Sequence, residues 1–427
     1  MMSILSNISA FIIRQLKQIK EGGWQVCKRK LKFVFYAIAR LLIAFVPALL
    51  VVLIIRLISP VFLIRLQRLI SWRIGHFAAN IELYLCELDA GINKPEGRFL
   101  DIWYYPCAPC NQQLARMWGR VLCIGPAILF GLVDCINSMI PGGELHRVGE
   151  NLKKDRDVQG LLERFPPHLF FNFEEEKKGE VGLRALGIPE GAPFVCLAVR
   201  DSAYLHDQNP HLDWSRHNFR DCDIQNYILA ARKLAERGYY VVRMGAVVKE
   251  AMKIDHPMII DYAHNGMHSD FMDIYLGAKC AFCISTTIGF DAVPSIFRRP
   301  MVFVDCSPLE LIRTSSPDYI STVKKYWLRD EERFMGFREI IESGASSFWV
   351  SSEYEAMGID LVESTPEEIA AVVLEMEERL KGSWKSNKED ERLHCQFWDL
   401  FPKSELHGEI RSRIGIDFLH RNKKWLV

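Results

Sequence analysis

The stretch KCAFCISTTIGFDAVPSIFRRPMVFVD, residues 279–305, decides the fold. Lys279 to Ser285 is a short, nearly unbroken apolar run, the pattern of a strand covered on both faces. Ser285-Thr286-Thr287-Ile288-Gly289 follows with small and hydroxylic residues, Gly289 to Phe297 reads as a helix, and Met301 to Asp305 is a second buried strand. A strand, a helix and a strand in that order form a parallel crossover unit.

The same alternation extends outward. Phe194 to Arg200 and Tyr239 to Met244 read as strands, with helices at Ile224 to Arg237 and Asp270 to Ala278. Thr365, Pro366 and Glu368 spell the capping-box start of a helix running to about Gly382. The first half repeats the pattern: strand Arg68 to Arg73, helix Phe77 to Leu88, strand Arg98 to Tyr105, helix Asn111 to Trp118, strand Arg120 to Ile124 and helix Ala127 to Met139. Between the halves, Pro141 to Pro193 is rich in glycine, proline and charge, which marks connecting loops. The expected division is a membrane-association segment over 1–66, an N-terminal Rossmann-like domain over 67–165, a linker over 166–192, a C-terminal Rossmann-like domain over 193–365, and packing helices over 366–427.

Composition narrows the functional classes. Lys plus Arg and Asp plus Glu are 53 each in a chain of 427 residues, so no bulk charge calls for nucleic acid. Twelve cysteines lie scattered in apolar runs, the usage of reduced core thiols. Cys107-Ala-Pro-Cys110 has no second CxxC or HxxxH beside it and is not read as a metal site. Phe33 to Ile55 is apolar except for Arg40; Lys28, Arg29, Lys30 and Lys32 precede it, and Arg56, Arg65, Arg68 and Arg73 follow. With Pro47 and Pro60 as bends, it is expected to associate with a membrane, as a monotopic anchor with snorkelling arginines rather than as a straight span.

In open α/β sheets ligands bind beyond the carboxyl ends of the strands. Those ends carry Arg200, then Arg243 and Gly245, then Ser285, Thr286, Thr287 and Gly289, a set suited to a phosphorylated ligand held by guanidinium and backbone amides. Ion pairs from these arginines to Asp201, Asp221 or Asp270 are the structural alternative. In the first half the same rule selects Gly75-His76, where a neutral imidazole can take a proton from a hydroxyl, with Asp89 or Glu82 to orient it. Asn80, Asn111, Arg220 and Asp270 complete the candidates. Asp221-Cys222-Asp223 has the spacing of a metal-binding Asp-x-Asp but precedes a helix, where Asp is a common cap.

Arg216 to Gly245, Ser269 to Leu276, STTIGFDAVPSIFRRPMVFV, RIGHFAANIELYL and IGIDFLHRN together resemble a family of bacterial glycosyltransferases encoded with surface-polysaccharide genes, such as those for capsule or O-antigen. The resemblance implies an α/β fold of GT-B type, two Rossmann-like domains facing a cleft, with a nucleotide-sugar donor in the C-terminal half and no metal or cofactor. It also implies His76 as the base, on the analogy of a Gly-His in several such enzymes, although related heptosyltransferases place Asp at the comparable turn. The expected partners are the nucleotide-sugar donor, a lipid-linked glycan acceptor and the cytoplasmic face of the inner membrane. A nucleotide-sugar epimerase-like enzyme and a non-catalytic nucleotide- or glycan-binding component are the rival readings.

Overall fold

The computed structural model describes residues 23, 24, 26, 28–32, 35, 43–148, 155–208 and 210–426, which fall into two compact units. The first takes in residues up to Leu69, Pro95–Pro106 and Leu122–Glu150. A helix covering 43–58 leads into β1 (Phe62–Arg68), which pairs in parallel with β2 (Arg98–Tyr104), and β2 with β3 (Cys123–Ile124). The helix Ala127–Ser138 follows, and Ala48, Val52 and Ile55 pack with Leu66 and Val133 in a small apolar core.

Two expectations change here. The first strand is Phe62–Arg68 rather than Arg68 to Arg73, so the tail of the expected anchor is a sheet strand. The register Arg65↔Asp101 explains why: the strand's arginine meets a carboxylate 2.7 Å away on β2, and both are buried. Arg56 is likewise engaged by the protein, donating to the Asn137 side chain at 2.9 Å and to the Pro141 and Ile140 carbonyls. Neither arginine reaches for headgroups. Of the expected membrane segment over 1–66, residues 1–22, 25, 27, 33–34 and 36–42 lie outside the described residues. No helix among the described residues is long and apolar enough to cross a membrane.

The second unit comprises Ile70–Lys94, Cys107–Val121 and the chain from Asn151 onward. Its sheet contains β4 (Phe194–Ala198), β5 (Tyr240–Arg243), β6 (Ile259–Ile260), β7 (Cys283–Ser285), β8 (Met301–Cys306) and β9 (Tyr319–Val323). A small antiparallel sheet follows, β11-β10-β12, from Lys325–Leu328 (β10), Arg333–Phe334 (β11) and Ile359–Val362 (β12), and β13 (Arg413–Ile414) returns to the main sheet. The main sheet runs β13-β9-β8-β7-β4-β5-β6 with every pairing parallel. Its strands are buried on both sides, against one core around Phe271, Phe303 and Phe397 and another around Tyr227, Val241 and Val373. The capping box of the helix Pro366–Leu380 forms as the sequence indicates.

From β4 the chain winds outward to β5 and β6, then returns to lay β7, β8 and β9 on the other side. The reversal leaves a crevice between the carboxyl ends of β4 and β7, the switch point where open α/β sheets bind ligands. Two early helices also join this unit, so contacts do not divide the chain near residue 165. Ile74–Asp89 packs on the helix Ala292–Ile296, Trp118 of Gln112–Trp118 donates to the Phe77 carbonyl at 3.0 Å, and Gln113 donates to Glu175.

Candidate functional site

At the switch point the ends of β4 and β7 are locked together. The Arg200 amide donates to the Thr286 hydroxyl at 2.8 Å, and the Thr286 amide to the Ala198 carbonyl at 3.2 Å. Thr287 then sits at φ +57°, a left-handed conformation that a β-branched residue rarely adopts and that other contacts must hold. Arg220 supplies one of these, donating to the Thr287 carbonyl at 2.5 Å. The expected helix Gly289 to Phe297 is instead a 3-10 turn, Gly289–Asp291, followed by the five-residue helix Ala292–Ile296, which contains Pro294. So short a helix has little macrodipole, and the charge of the site resides in its guanidinium groups.

Those groups are concentrated. Arg200 Nε lies 3.1 Å from the Asp221 carboxylate, the ion pair foreseen as the structural alternative, yet Asp221 is outnumbered. Lys324, buried, donates to the Asp221 carbonyl at 2.5 Å. His217 is held down to about 4 by burial and by Arg216, Arg200, Arg220 and Arg73 around it. Arg220 itself falls to about 10 through burial and the neighbouring Arg200, against the pull of Asp291 and Asp221. Its Nε is buried and meets no acceptor among the described residues. Such a cluster favours an anion that brings several oxygens at once. The Trp214 and His217 rings stack beside it at 6.1 Å between centroids.

Gly75-His76 belongs to the same neighbourhood. A Cβ on Gly75 would lie 3.1 Å from both the Cα and the carbonyl oxygen of Gly289, so the helix start and the loop end touch backbone to backbone. His76 Nδ1 faces the Asn80 side-chain oxygen at 3.4 Å, one helical turn on. Asn80, rather than the expected Glu82 or Asp89, is the side chain that His76 meets, and those two carboxylates are engaged elsewhere. Glu82, fully buried, accepts from Arg298 at 2.6 Å and lies 3.2 Å from His168 Nδ1, while Asp89 lies 3.1 Å from His168 Nε2. Burial alone would lower the His168 pKa, but hydrogen bonds to Cys86 and Glu82 and the Glu82 charge outweigh it and raise it to about 10. This brace ties the helix carrying His76 to Arg298, two residues past Ala292–Ile296.

Several expected residues serve elsewhere. Arg243 is 1 % exposed and donates to the Glu250 carbonyl at 2.6 Å and to Asp261 at 3.2 Å, so it holds the loop after β5. A Cβ on Gly245 would strike Val248 at 2.7 Å, a packing constraint in the same loop. Asn111 caps Leu114 and donates to the Asp270 carbonyl, while Asp270 accepts from the Gln112 amide, so the two lock helices together. Ser285 lies below the crevice, fully buried, 3.4 Å from Asp291. Asp223 caps Gln225, the role its position suggested.

Among the described residues, two sets of side chains of metal-ligating type gather, Glu82 with Cys86 and His168, and Cys222 with Asp305 and Glu363. In each, protein groups already engage a carboxylate. Arg298 occupies Glu82, and Asp305 accepts from the Ser364 amide and hydroxyl.

Arg216, His217, Arg298, His168 and Lys324 escaped the sequence reading, and Arg73, expected to flank the membrane anchor, instead acts on His217. Arg216 and His217 sat inside the quoted Arg216 to Gly245 stretch, and their density with Arg220 was the available signal. Nothing in the spacing links Arg298 to Glu82.

No family model matches the sequence, and no curated protein does. Among solved structures, an Escherichia coli ADP-heptose LPS heptosyltransferase II is 14 % identical, with 61 % of this chain and 90 % of that chain covered and a TM-score of 0.34. A glycosyl transferase family 9 structure from Veillonella parvula is 10 % identical, covering 56 % of this chain and 79 % of that one, with the same TM-score. Likeness at that level leaves the functional reading to this chain's own residues.

Proposed function

We propose that the chain is a glycosyltransferase of GT-B type whose nucleotide-sugar donor is held by its diphosphate at the switch point. The observation that carries this is the junction itself: Arg200 and Arg220 meet at the strained Thr286-Thr287 turn, and Gly75, next to His76, abuts Gly289 at the end of the same loop. An anion binds there without a metal, because guanidinium groups already supply the charge. The base, flanked by Trp214 and His217, is the part of the donor that the aromatic pair suits.

The reaction is an inverting transfer. With Nδ1 protonated and donating to Asn80, His76 presents Nε2 as an acceptor. It takes the proton of an acceptor hydroxyl as that oxygen forms its bond to the anomeric carbon. The bond from that carbon to the diphosphate breaks, and the electron pair leaves on the phosphate oxygen, where Arg200, Arg220 and the loop amides stabilise it. The acceptor is a lipid-linked glycan in surface-polysaccharide assembly at the cytoplasmic face of the bacterial inner membrane.

The test is product formation by purified full-length protein across a panel of nucleotide sugars, with His76→Ala alongside. His76→Ala should fold and bind nucleotide while losing transfer; near-normal transfer by the folded variant would remove His76 as the base.

A further inference from the structure

The helix over 43–58 has two apolar faces, and only one is covered. Ala48, Val52 and Ile55 are at most 3 % exposed, packed against Leu66 and Val133, and Arg56 pins the helix end to Asn137, Ile140 and Pro141. On the other side Ile43, Val46, Leu50, Leu53, Ile54, Leu57 and Val61 are each at least 55 % exposed. Those from Ile43 to Leu57 fall on one side of the helix, with Val61 just past its end, and form a contiguous apolar stripe of the kind that marks an interaction surface. We infer that this face lies in the plane of a lipid bilayer, with the helix parallel to the surface and half-sunk among acyl chains.

Three observations select this occupant. The covered face is a wall of the β1-β2-β3 unit, so the helix cannot cross a bilayer without unfolding that unit. No charged residue lies between Ile43 and Ile55, and the exposed face includes Pro47, so it lacks the flanking charges of a helix–helix seam. Lys28, Arg29 and Lys32 are exposed just upstream and complement anionic headgroups. This inference goes beyond the proposed chemistry and stands without it.

The experiment is flotation of full-length protein with vesicles of phosphatidylcholine, alone or mixed with phosphatidylglycerol. The protein should float with both, more strongly with the anionic mixture at low salt. The triple variant Leu50→Glu, Leu53→Glu, Leu57→Glu, with unchanged circular dichroism, should partition at least about tenfold less. In separate protein, Leu57→Trp should blue-shift on binding and be quenched by brominated acyl chains. Wild-type protein left at the bottom, or a triple variant floating as well as wild type, overturns the inference. So does a stable wild-type dimer, in light scattering, that the triple variant abolishes, because a second copy then covers the stripe. In bacterial cells an impermeant maleimide added outside should reach neither Lys32→Cys nor Arg68→Cys; labelling one alone means a span and overturns the in-plane placement.

Discussion

Replacing Arg298 by Met strands a buried charge. Arg298 donates to Glu82 at 2.6 Å and to the Phe165 and Pro166 carbonyls at 3.0 Å, and the Glu82 side chain is wholly inaccessible to water. Breaking a buried pair from one side costs roughly 3–5 kcal/mol, because the remaining charge keeps its desolvation penalty without its partner. His168, protonated at neutral pH, still offsets part of the Glu82 charge, which puts Arg298→Met near the lower limit, about 3 kcal/mol. Removing both charges in Glu82→Met with Arg298→Met should cost about 2 kcal/mol less than the two single changes summed. Urea unfolding followed by fluorescence reads all four proteins, and Trp118, bonded to the Phe77 carbonyl on the braced helix, is among the reporters. A loss under about 1 kcal/mol for Arg298→Met, or additivity within about 0.5 kcal/mol, would refute the brace.

Four further outcomes follow from the same geometry. His168 is raised from 6.5 to about 10, so its stabilisation is full below 6.5 and disappears as pH rises through 10; the urea-midpoint difference between wild type and His168→Gln should shrink across that window, and a constant difference would contradict it. His217 is depressed to about 4 by burial and by neighbouring guanidinium groups, and a bound diphosphate should offset the latter, so diphosphate binding should take up a proton and tighten as pH falls from 6.5 towards 5; calorimetry in buffers of different ionisation heat should detect this in wild type and not in His217→Gln. Arg220→Ala should weaken nucleotide diphosphate binding by about 10- to 100-fold with little loss of stability, and Arg243→Ala should do the reverse; calorimetry and urea unfolding separate them. Gly75→Val, whose branches would meet Gly289 backbone, should lose at least about tenfold in nucleotide affinity while circular dichroism is unchanged, and unaltered affinity would detach His76 from the donor loop.

Much of the C-terminal fold was legible because strands buried on both faces read as apolar runs, and because caps such as Thr365 with Glu368 are local. The end of β4 and the Ser285 to Gly289 loop were found by the rule about strand ends, and the structure joins them at Arg200 and Thr286. Strand β1 was hidden because FLIRLQR continues an apolar run, and only its partner Asp101, 36 residues away, reveals Arg65 as a sheet residue. Arg243 looked equivalent to Arg200 for the same reason. Which strand-end arginine faces the crevice depends on Asp261, a long-range partner that spacing does not encode. The membership of Ile74–Asp89 in the larger unit was equally invisible, since it rests on Gly75 against Gly289 and on Glu82 against Arg298.

The central claim is that the junction of Arg200, Arg220 and Thr287 holds a nucleotide diphosphate. The most direct measurement is the unfolding midpoint of the purified protein with each common nucleoside diphosphate in excess, beside Arg220→Ala. A nucleotide at 100 times its dissociation constant should stabilise wild type by about 2.7 kcal/mol and Arg220→Ala, binding about 10- to 100-fold more weakly, by only about 0.4–1.4 kcal/mol. No shift with any nucleotide, or an equal shift in both proteins, would contradict the account.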